Sequence, residues 1–326
     1  MRIVLTYNLR REPSEATAEF DRGGTIDAIA AIVRSLGHRV TPIDVTGSIP
    51  RLIAGLRWIR PELVLNLAEG ERGVFREAFY PALFEQLGYA HTGSSASVLA
   101  LCLDKVLAKR VVAAAGIAVP AGALVRDRRT LPDLGWPVLV KPNFEGSSKG
   151  ITAASVVTTA GALAPLVGEL LNRYPDGVLV EQFVAGTDVS VAWVDGLGVL
   201  PAIAYRYPAS GPFAIYDYAL KHDTPERVHV EIPARVGSRT ASRLEDAARR
   251  TFAALGVAGY GRADFRVTAD GDVVFLEMNP LPSLEPGDED LYGASARIGK
   301  TPRELFACIL GAAHRALDAP RVAGTA

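Results

Sequence analysis

The chain has 326 residues, with 35 Lys+Arg against 36 Asp+Glu and a formal net charge of -1. Length and a 49% apolar fraction suit two or three packed units with sizeable cores, and the balanced charge argues against a broad basic face for nucleic acid. Two cysteines, Cys102 and Cys308, exclude a disulfide framework or an all-cysteine zinc site, and both read as buried thiols in apolar helical runs.

The first seven residues are followed by Asn8 and then Leu9-Arg10-Arg11, where a secretory signal would continue apolar, so they read as a first strand, Ile3–Tyr7. No apolar run reaches the length of a membrane span; charges interrupt at Asp104-Lys105 and Lys109-Arg110. The expectation is a cytoplasmic protein with no membrane or nucleic-acid partner.

Ile26, Ile29, Ala30, Val33 and Leu36 recur at helical spacing up to Gly37, and Val40–Val45 and Leu63–Leu67 are the next strands. A helix over Phe75–Leu87 stops at Gly88, and another spans about Ser95 to Ala115. Alternating strands and helices imply a parallel sheet. Beyond Trp136 come a strand (Pro137–Lys141), a Gly/Ser loop (Glu145–Gly150), a strand (Ile151–Val157), a helix (Leu163–Tyr174) and a strand (Gly177–Phe183). Val189–Val194 and Val199–Ala204 form a hairpin turning at Asp195-Gly196, and about Tyr207–Pro225 is a long, functional loop. A helix (about Arg239–Leu255), a hairpin (Gly259–Asn279), a helix (Pro302–Leu317) and a frayed tail (Asp318–Ala326) complete the chain.

The Gly259–Asn279 hairpin is the most informative segment. If Asp270-Gly271 forms a two-residue turn, Asp264 stands opposite Glu277 and Arg262 opposite Asn279. Alternation then puts Ala263, Phe265, Val267, Val274, Leu276 and Met278 on a core face, and Arg262, Asp264, Arg266, Phe275, Glu277 and Asn279 on the other. Facing carboxylates repel unless a cation lies between them, and two carboxylates with an amide oxygen suit Mg²⁺. The alternative is a solvated face with a cross-strand ion pair.

In the Gly/Ser loop, small residues let backbone N–H groups approach a phosphate, with Lys141 supplying a point charge beside it. The Walker A spacing is absent.

Six collinear segments carry a resemblance that covers nearly the whole chain: the run from Leu87 to Ser95, Asp104-Lys105, Val140–Ile151, Val180–Trp193, Ile215–His222 and Gly261–Leu284. Together they resemble the ATP-grasp superfamily in its D-alanine–D-alanine ligase branch. The resemblance implies an α/β fold of three domains: a Rossmann-like pre-ATP-grasp domain (1–95), a central ATP-grasp subdomain (96–184) and a C-terminal one (185–326). It also implies a homodimer that uses ATP and Mg²⁺, with Mn²⁺ as a substitute, to join two small amino-acid-like substrates through an acyl phosphate. By the same resemblance Lys105 and Lys141 hold ATP phosphates, with Ser148 in the phosphate loop. Glu181 accepts from the adenine amine beside Phe183 and Val184, and Asp188 binds the ribose. Lys221 reaches the transferred phosphate, Asp264, Glu277 and Asn279 ligate magnesium, Arg262 steadies the tetrahedral intermediate, and Ser147 is a substrate-side serine.

The amino-acid half departs from the family pattern. Lys221-His222 replaces Lys-Tyr; His222 is a titratable substrate contact near pH 7 or an exposed loop histidine, and its place beside Lys221 favours the contact. Asp288 stands near the position of a serine that binds the second substrate's carboxylate, and Glu19 or Asp21 is expected to hold a substrate ammonium. Arg72 and Arg76 are carboxylate binders or surface ion pairs. The substrates are therefore D-alanine or other amino acids. A nucleotide-binding protein without turnover is the alternative of another class, and a dinucleotide oxidoreductase lacks its G-x-G-x-x-G.

Overall fold

A computed structural model describes residues 1–208 and 213–318. The 209–212 part of the expected loop and all of the expected tail beyond Asp318 lie outside the described residues. No helix is long and apolar enough to cross a membrane among those described.

Three sheets organise the chain. The first contains β1 (Arg2–Tyr7), β2 (Arg39–Asp44) and β3 (Leu63–Asn66), parallel and ordered β2-β1-β3. Ile3, Val4 and Leu5 are fully buried because helices cover both faces, which is why β1 reads as a continuous apolar run. Those helices are α1 (Gly23–Ser35), α2 (Ile49–Ile59) and α3 (Arg76–Gln86).

The expected single helix over 95–115 is two, α4 (Ala96–Leu103) and α5 (Lys105–Ala114). Asp104 leaves the helical conformation at ψ 94° and its carboxylate accepts from Val106 N and Leu107 N, capping α5. The break puts Lys105 on the first turn of α5, where it turns into a cleft. α4 and α5 pack on the C-terminal sheet: Cys102, Ala108 and Val112 share a core with Phe252, Phe265 and Phe275. Cys102 is buried, whereas Cys308 is only partly so.

The central sheet, ordered β4-β7-β5-β6, holds β4 (Gly122–Val125), β5 (Val138–Pro142), β6 (Val156–Val157) and β7 (Val178–Gln182), backed by α6 (Ala160–Arg173). Its core includes Val140, Val180, Leu163 and Val167. β6 is much shorter than the expected strand, since Ala153–Ser155 form a turn of 3₁₀ helix capped by Thr152.

The third sheet is ordered β11-β10-β8-β12-β13, with β9 also on β8. Its strands are β8 (Thr187–Val194), β9 (Gly198–Val199), β10 (Ile203–Arg206), β11 (His229–Glu231), β12 (Tyr260–Val267) and β13 (Val273–Asn279). The expected long loop carries a short helix, α7 (Tyr218–His222), capped by Asp217. α8 (Ser238–Leu255) buries Leu244, Ala247, Ala248, Thr251, Phe252 and Leu255 along one stripe and ends at Gly256, φ +70°. A π-helical turn (Glu289–Gly293), α9 (Ala294–Arg297) and α10 (Pro302–Asp318) follow, and Leu305, Phe306 and Ile309 share a core with Ile3, Leu5 and Ile29 of the first unit. First and third units therefore share a core, and the central sheet has a core of its own.

Candidate active site

The β12–β13 hairpin corrects the expected turn while keeping the expected pairs. Gly271 N donates to Thr268 O and Thr268 N to Asp272 O, so the loop has three residues, with Gly271 at φ +81°. Val267 pairs with Val273 and Phe265 with Phe275, one residue off the two-residue register. The register then shifts between Asp264 and Phe265, restoring Asp264 opposite Glu277 and Arg262 opposite Asn279. Leu276 is the extra residue of that bulge. Phe275, expected on the polar face, is therefore fully buried beside Phe265, while Leu276 lines the cleft.

The hairpin's polar face forms one wall of a cleft of about 700 Å³ between the three units. β8 adds Ser190, directly opposite Asp264 on the other side of β12; its hydroxyl donates to Asp264 Oδ1 at 2.6 Å. Arg262 binds Asp264 through Nε and Nη2, both at 2.8 Å, and Asp290 through Nη1. Tyr205 donates to the other oxygen of Asp290 at 2.5 Å. Asn279 Oδ1 accepts from Leu281 N, fixing the start of the Pro-rich loop.

Lys105 crosses to this wall, 3.3 Å from Glu277, and donates to the Glu145 carbonyl oxygen. Enclosure in the cleft would raise the Glu277 carboxyl, but Lys105, Lys141 and Arg262 hold it down at about 2. Lys141, on β5, also lines the cleft.

Glu181, Phe183 and Val184 do not line the cleft. Glu181 is 1% exposed and wedged between Lys109 at 2.6 Å and Lys141 at 3.0 Å, so its carboxylate has no face to offer adenine while it holds both lysines. Burial drives the Lys109 ammonium down to about 8 although Glu181 pulls it up. Asp188 lines the cleft but is engaged by Arg266 at 3.0 Å and by the Tyr207 hydroxyl.

The Gly/Ser loop is tightly shaped. Ser147 and Ser148 both have positive φ, 50° and 57°, an uncommon strain for consecutive non-glycine residues. Ser148 Oγ donates to Tyr216 O at 3.0 Å. A side chain at Gly146 would collide with the Glu19 carboxylate. His222 Nε2 donates to the Ser147 carbonyl at 3.1 Å, latching α7 to the loop beside Lys221. Burial lowers the His222 pKa, and Lys221 and Arg10 lower it further against the opposing Ser147 bond. Burial and the neighbouring cations thus favour the neutral ring.

Of the two acids expected to meet an ammonium, Glu19 is already neutralised. Burial would raise it, but Arg76 and Lys149, which both bind it, hold it at about 2. Arg76 is consumed by Glu19 and by the Phe144 carbonyl at 2.5 Å, and Arg72 does not line the cleft. Asp21 lines the cleft without a cationic partner among the described residues, and burial, with Glu285 adding repulsion, raises it to about 7. Asp288 is also in the wall; burial and neighbouring Asp290 raise it to about 6.

Sequence reasoning missed Ser190, Tyr205, Lys109 and Asp290. Ser190 shares the inward alternation of β8 with Asp188, and Asp290 lies in the same acidic run as Asp288. Lys109 follows Lys105 by one helical turn. Tyr205 carried no local signal.

The D-alanine–D-alanine ligase from Bacillus anthracis, solved with ATP, superposes with a TM-score of 0.77 at 20% identity, covering 98% of this chain and 99% of that one. The VanG D-Ala:D-Ser ligase from Enterococcus faecalis superposes with a TM-score of 0.74 at 22% identity, covering 96% and 99%. At these identities the likeness establishes the fold. Residues 123–287 match the family described as D-ala D-ala ligase C-terminus. The D-alanine–D-alanine ligase of Anaeromyxobacter sp. (strain Fw109-5) is 36% identical over 264 residues, covering 79% of this chain and 80% of that protein. That of Geobacter sulfurreducens is 32% identical over 267 residues, covering 79% and 78%. The chain belongs to the D-alanine–D-alanine ligase family, and it is an ATP-dependent ligase that forms a carbon–nitrogen bond.

Proposed function

We propose that the cleft phosphorylates the carboxylate of one amino-acid-like substrate with ATP and passes the acyl group to the amine of a second. Amide, ADP and phosphate are the products. The observation that carries this reading is the cross-strand placement of Asp264 opposite Glu277, facing Lys105 and Lys141 over the cleft.

In this reading Lys105 and Lys141 offset phosphate charge and Lys221 reaches the group in transfer. Asp188 serves the ribose once it exchanges a present partner, and the Glu181 carboxylate, held by Lys109 and Lys141, is not offered to the base. Arg262 steadies the oxyanion as the amine attacks. Asp21 is the acid available to a substrate ammonium, and the α7 segment closes over the site to exclude water.

Asp264, Glu277 and Asn279 fit a hard divalent cation in donor chemistry, with Mg²⁺ first and Mn²⁺ a substitute. Asp264 would exchange one Arg262 contact for the ion, and Arg262 would keep Asp290. No cluster of three or more His, Cys, Asp or Glu that could hold a metal occurs among the described residues, so phosphate oxygens and water would complete the shell. When bound, such an ion supplies charge neutralisation on the transferring phosphoryl group.

The relatives' names make D-alanine the first substrate to test and D-serine the next acceptor. Asp288, an acid in the acceptor wall, favours a partner other than D-alanine as a second reading. The test is to incubate the protein with Mg-ATP and D- and L-amino acids, singly and in pairs, following ADP and product mass. ADP release that requires an amine, with an amide product, supports the reading; silence toward every pair counts against it.

We also infer a homodimer working in the cytoplasm. Exposed Trp58 on α2 and exposed Phe75 and Phe79 at α3 support a covered face on the first unit. Light scattering on Phe79→Arg would show a monomer if that face is the contact.

A further inference from the structure

Most cations lining the cleft already have an anion. Lys141 faces Glu181, Lys149 faces Glu19 and Glu145, Arg262 faces Asp264 and Asp290, and Arg266 faces Asp188. Arg10 differs. It lines the cleft, yet its Nε is sealed from solvent with no hydrogen-bond partner among the described residues. Its neighbour Arg11 is exposed and paired with Asp44 at 3.1 Å.

The position is held firmly. Arg10 N donates to Asp21 O at 2.7 Å, Asp21 N to Asn8 O at 3.0 Å, and Leu9 bridges Asp21 in parallel. This segment leaves the carboxyl end of β1, the middle strand of a parallel sheet, which is the edge where open α/β sheets take ligands. The guanidinium acts on His222, whose pKa it lowers, while the ionisation of Asp21 is set by burial and Glu285 instead. Arg10 thus brings to the cleft a guanidinium with no ion-pair partner among the described residues, and its planar fork is matched best by a carboxylate.

We propose that Arg10 binds a substrate carboxylate other than the one being activated, and so selects among amino-acid-like substrates. The proposal rests on the ligase reading. The carboxylate has two possible sources, the acceptor's α-carboxylate or an acidic side chain on the donor, and one experiment separates them.

The wild-type enzyme, Arg10→Ala and Arg10→Lys are assayed with Mg-ATP by ADP release, with product mass assigning donor and acceptor. One arm compares D-alanine with D-alaninamide as acceptor; the other compares D-aspartate with D-asparagine as donor. We expect Arg10→Ala to lose roughly tenfold or more in kcat/KM for the carboxylate-bearing member of one pair, as loss of a charged hydrogen bond predicts. Its amide or carboxamide counterpart, the KM for ATP and the melting temperature should hold, and Arg10→Lys should restore part of the loss. Unchanged discrimination in both arms, or a loss shared equally with ATP, would overturn the role of Arg10 while leaving the ligase standing. A wild-type enzyme silent toward every pair would overturn the ligase reading and this proposal with it.

Discussion

Asp264 stands opposite Glu277 because two irregularities in one hairpin cancel: a three-residue turn shifts the register by one, and the bulge at Leu276 shifts it back. Without the bulge, Asp264 would face Leu276 and the two carboxylates would part. We expect Glu277→Gln to lower kcat on the order of 10²-fold, the scale of removing one group that stabilises transferring charge. A magnesium titration checks it. Near-normal turnover with an unchanged magnesium requirement would remove Glu277 from the metal set.

Arg262 is shared between Asp264 and Asp290, which lets it yield the first to a cation without becoming an isolated buried charge. Asp290→Asn should therefore destabilise the fold by roughly 1–3 kcal/mol, less than breaking an isolated buried pair, and reduce turnover more than ATP affinity. Urea unfolding and separate ATP binding measure the two effects. Equal loss in both would mean that Asp290 supports the wall as a whole.

Glu181 is the common anion of Lys109 and Lys141, and all three side chains are buried. Removing its charge leaves two buried ammonium groups facing an amide. Glu181→Gln should cost about 3–5 kcal/mol, and the double variant Glu181→Gln/Lys109→Met should recover a large part of it. A single variant as stable as wild type would show that water reaches the pair.

Asp21 gives stability a pH signature. Its carboxyl stays protonated in the folded protein up to about 7, whereas in the unfolded chain it ionises near the ordinary value. The folded state binds more protons between roughly pH 4 and 7, so its stability falls as pH rises through that window. Asp21→Asn should remove the slope, and its melting temperature should gain on wild type from pH 4 to 7, then hold constant. Parallel curves would place Asp21 in contact with solvent. Substrate amine should oppose the effect in the wild type alone.

The cleft was legible in part, and its legible part is local. Asp264, Glu277, Asn279 and Arg262 lie on one hairpin, where alternation and a turn signal suffice to bring them to one face, and Lys141 stands at the end of a strand leading into a Gly/Ser loop. Even there the turn length and the Leu276 bulge escaped, because neither alters the composition of the alternating run. Asp104 shows the same limit: a capping side chain broke a helix that the apolar spacing would have carried through.

What the sequence by itself determined is the inventory: strands buried on both faces, the amphipathic stripe of α8, the Gly/Ser loop with Lys141, and the carboxylate and amide oxygens of the hairpin. Each follows from periodicity or from residue chemistry within a few positions. Only the tertiary structure decided how the charges divide. It gave Glu19 to Arg76 and Lys149, Glu181 to Lys109 and Lys141, and Asp290 to Arg262, and it left Asp21 and Arg10 without ionic partners in the cleft among the described residues. Those partners are separated by up to 130 residues in the chain, as with Lys149 and Glu19. In a cleft this enclosed, a charge's meaning depends on which opposite charge lies beside it, and no local pattern encodes that distance.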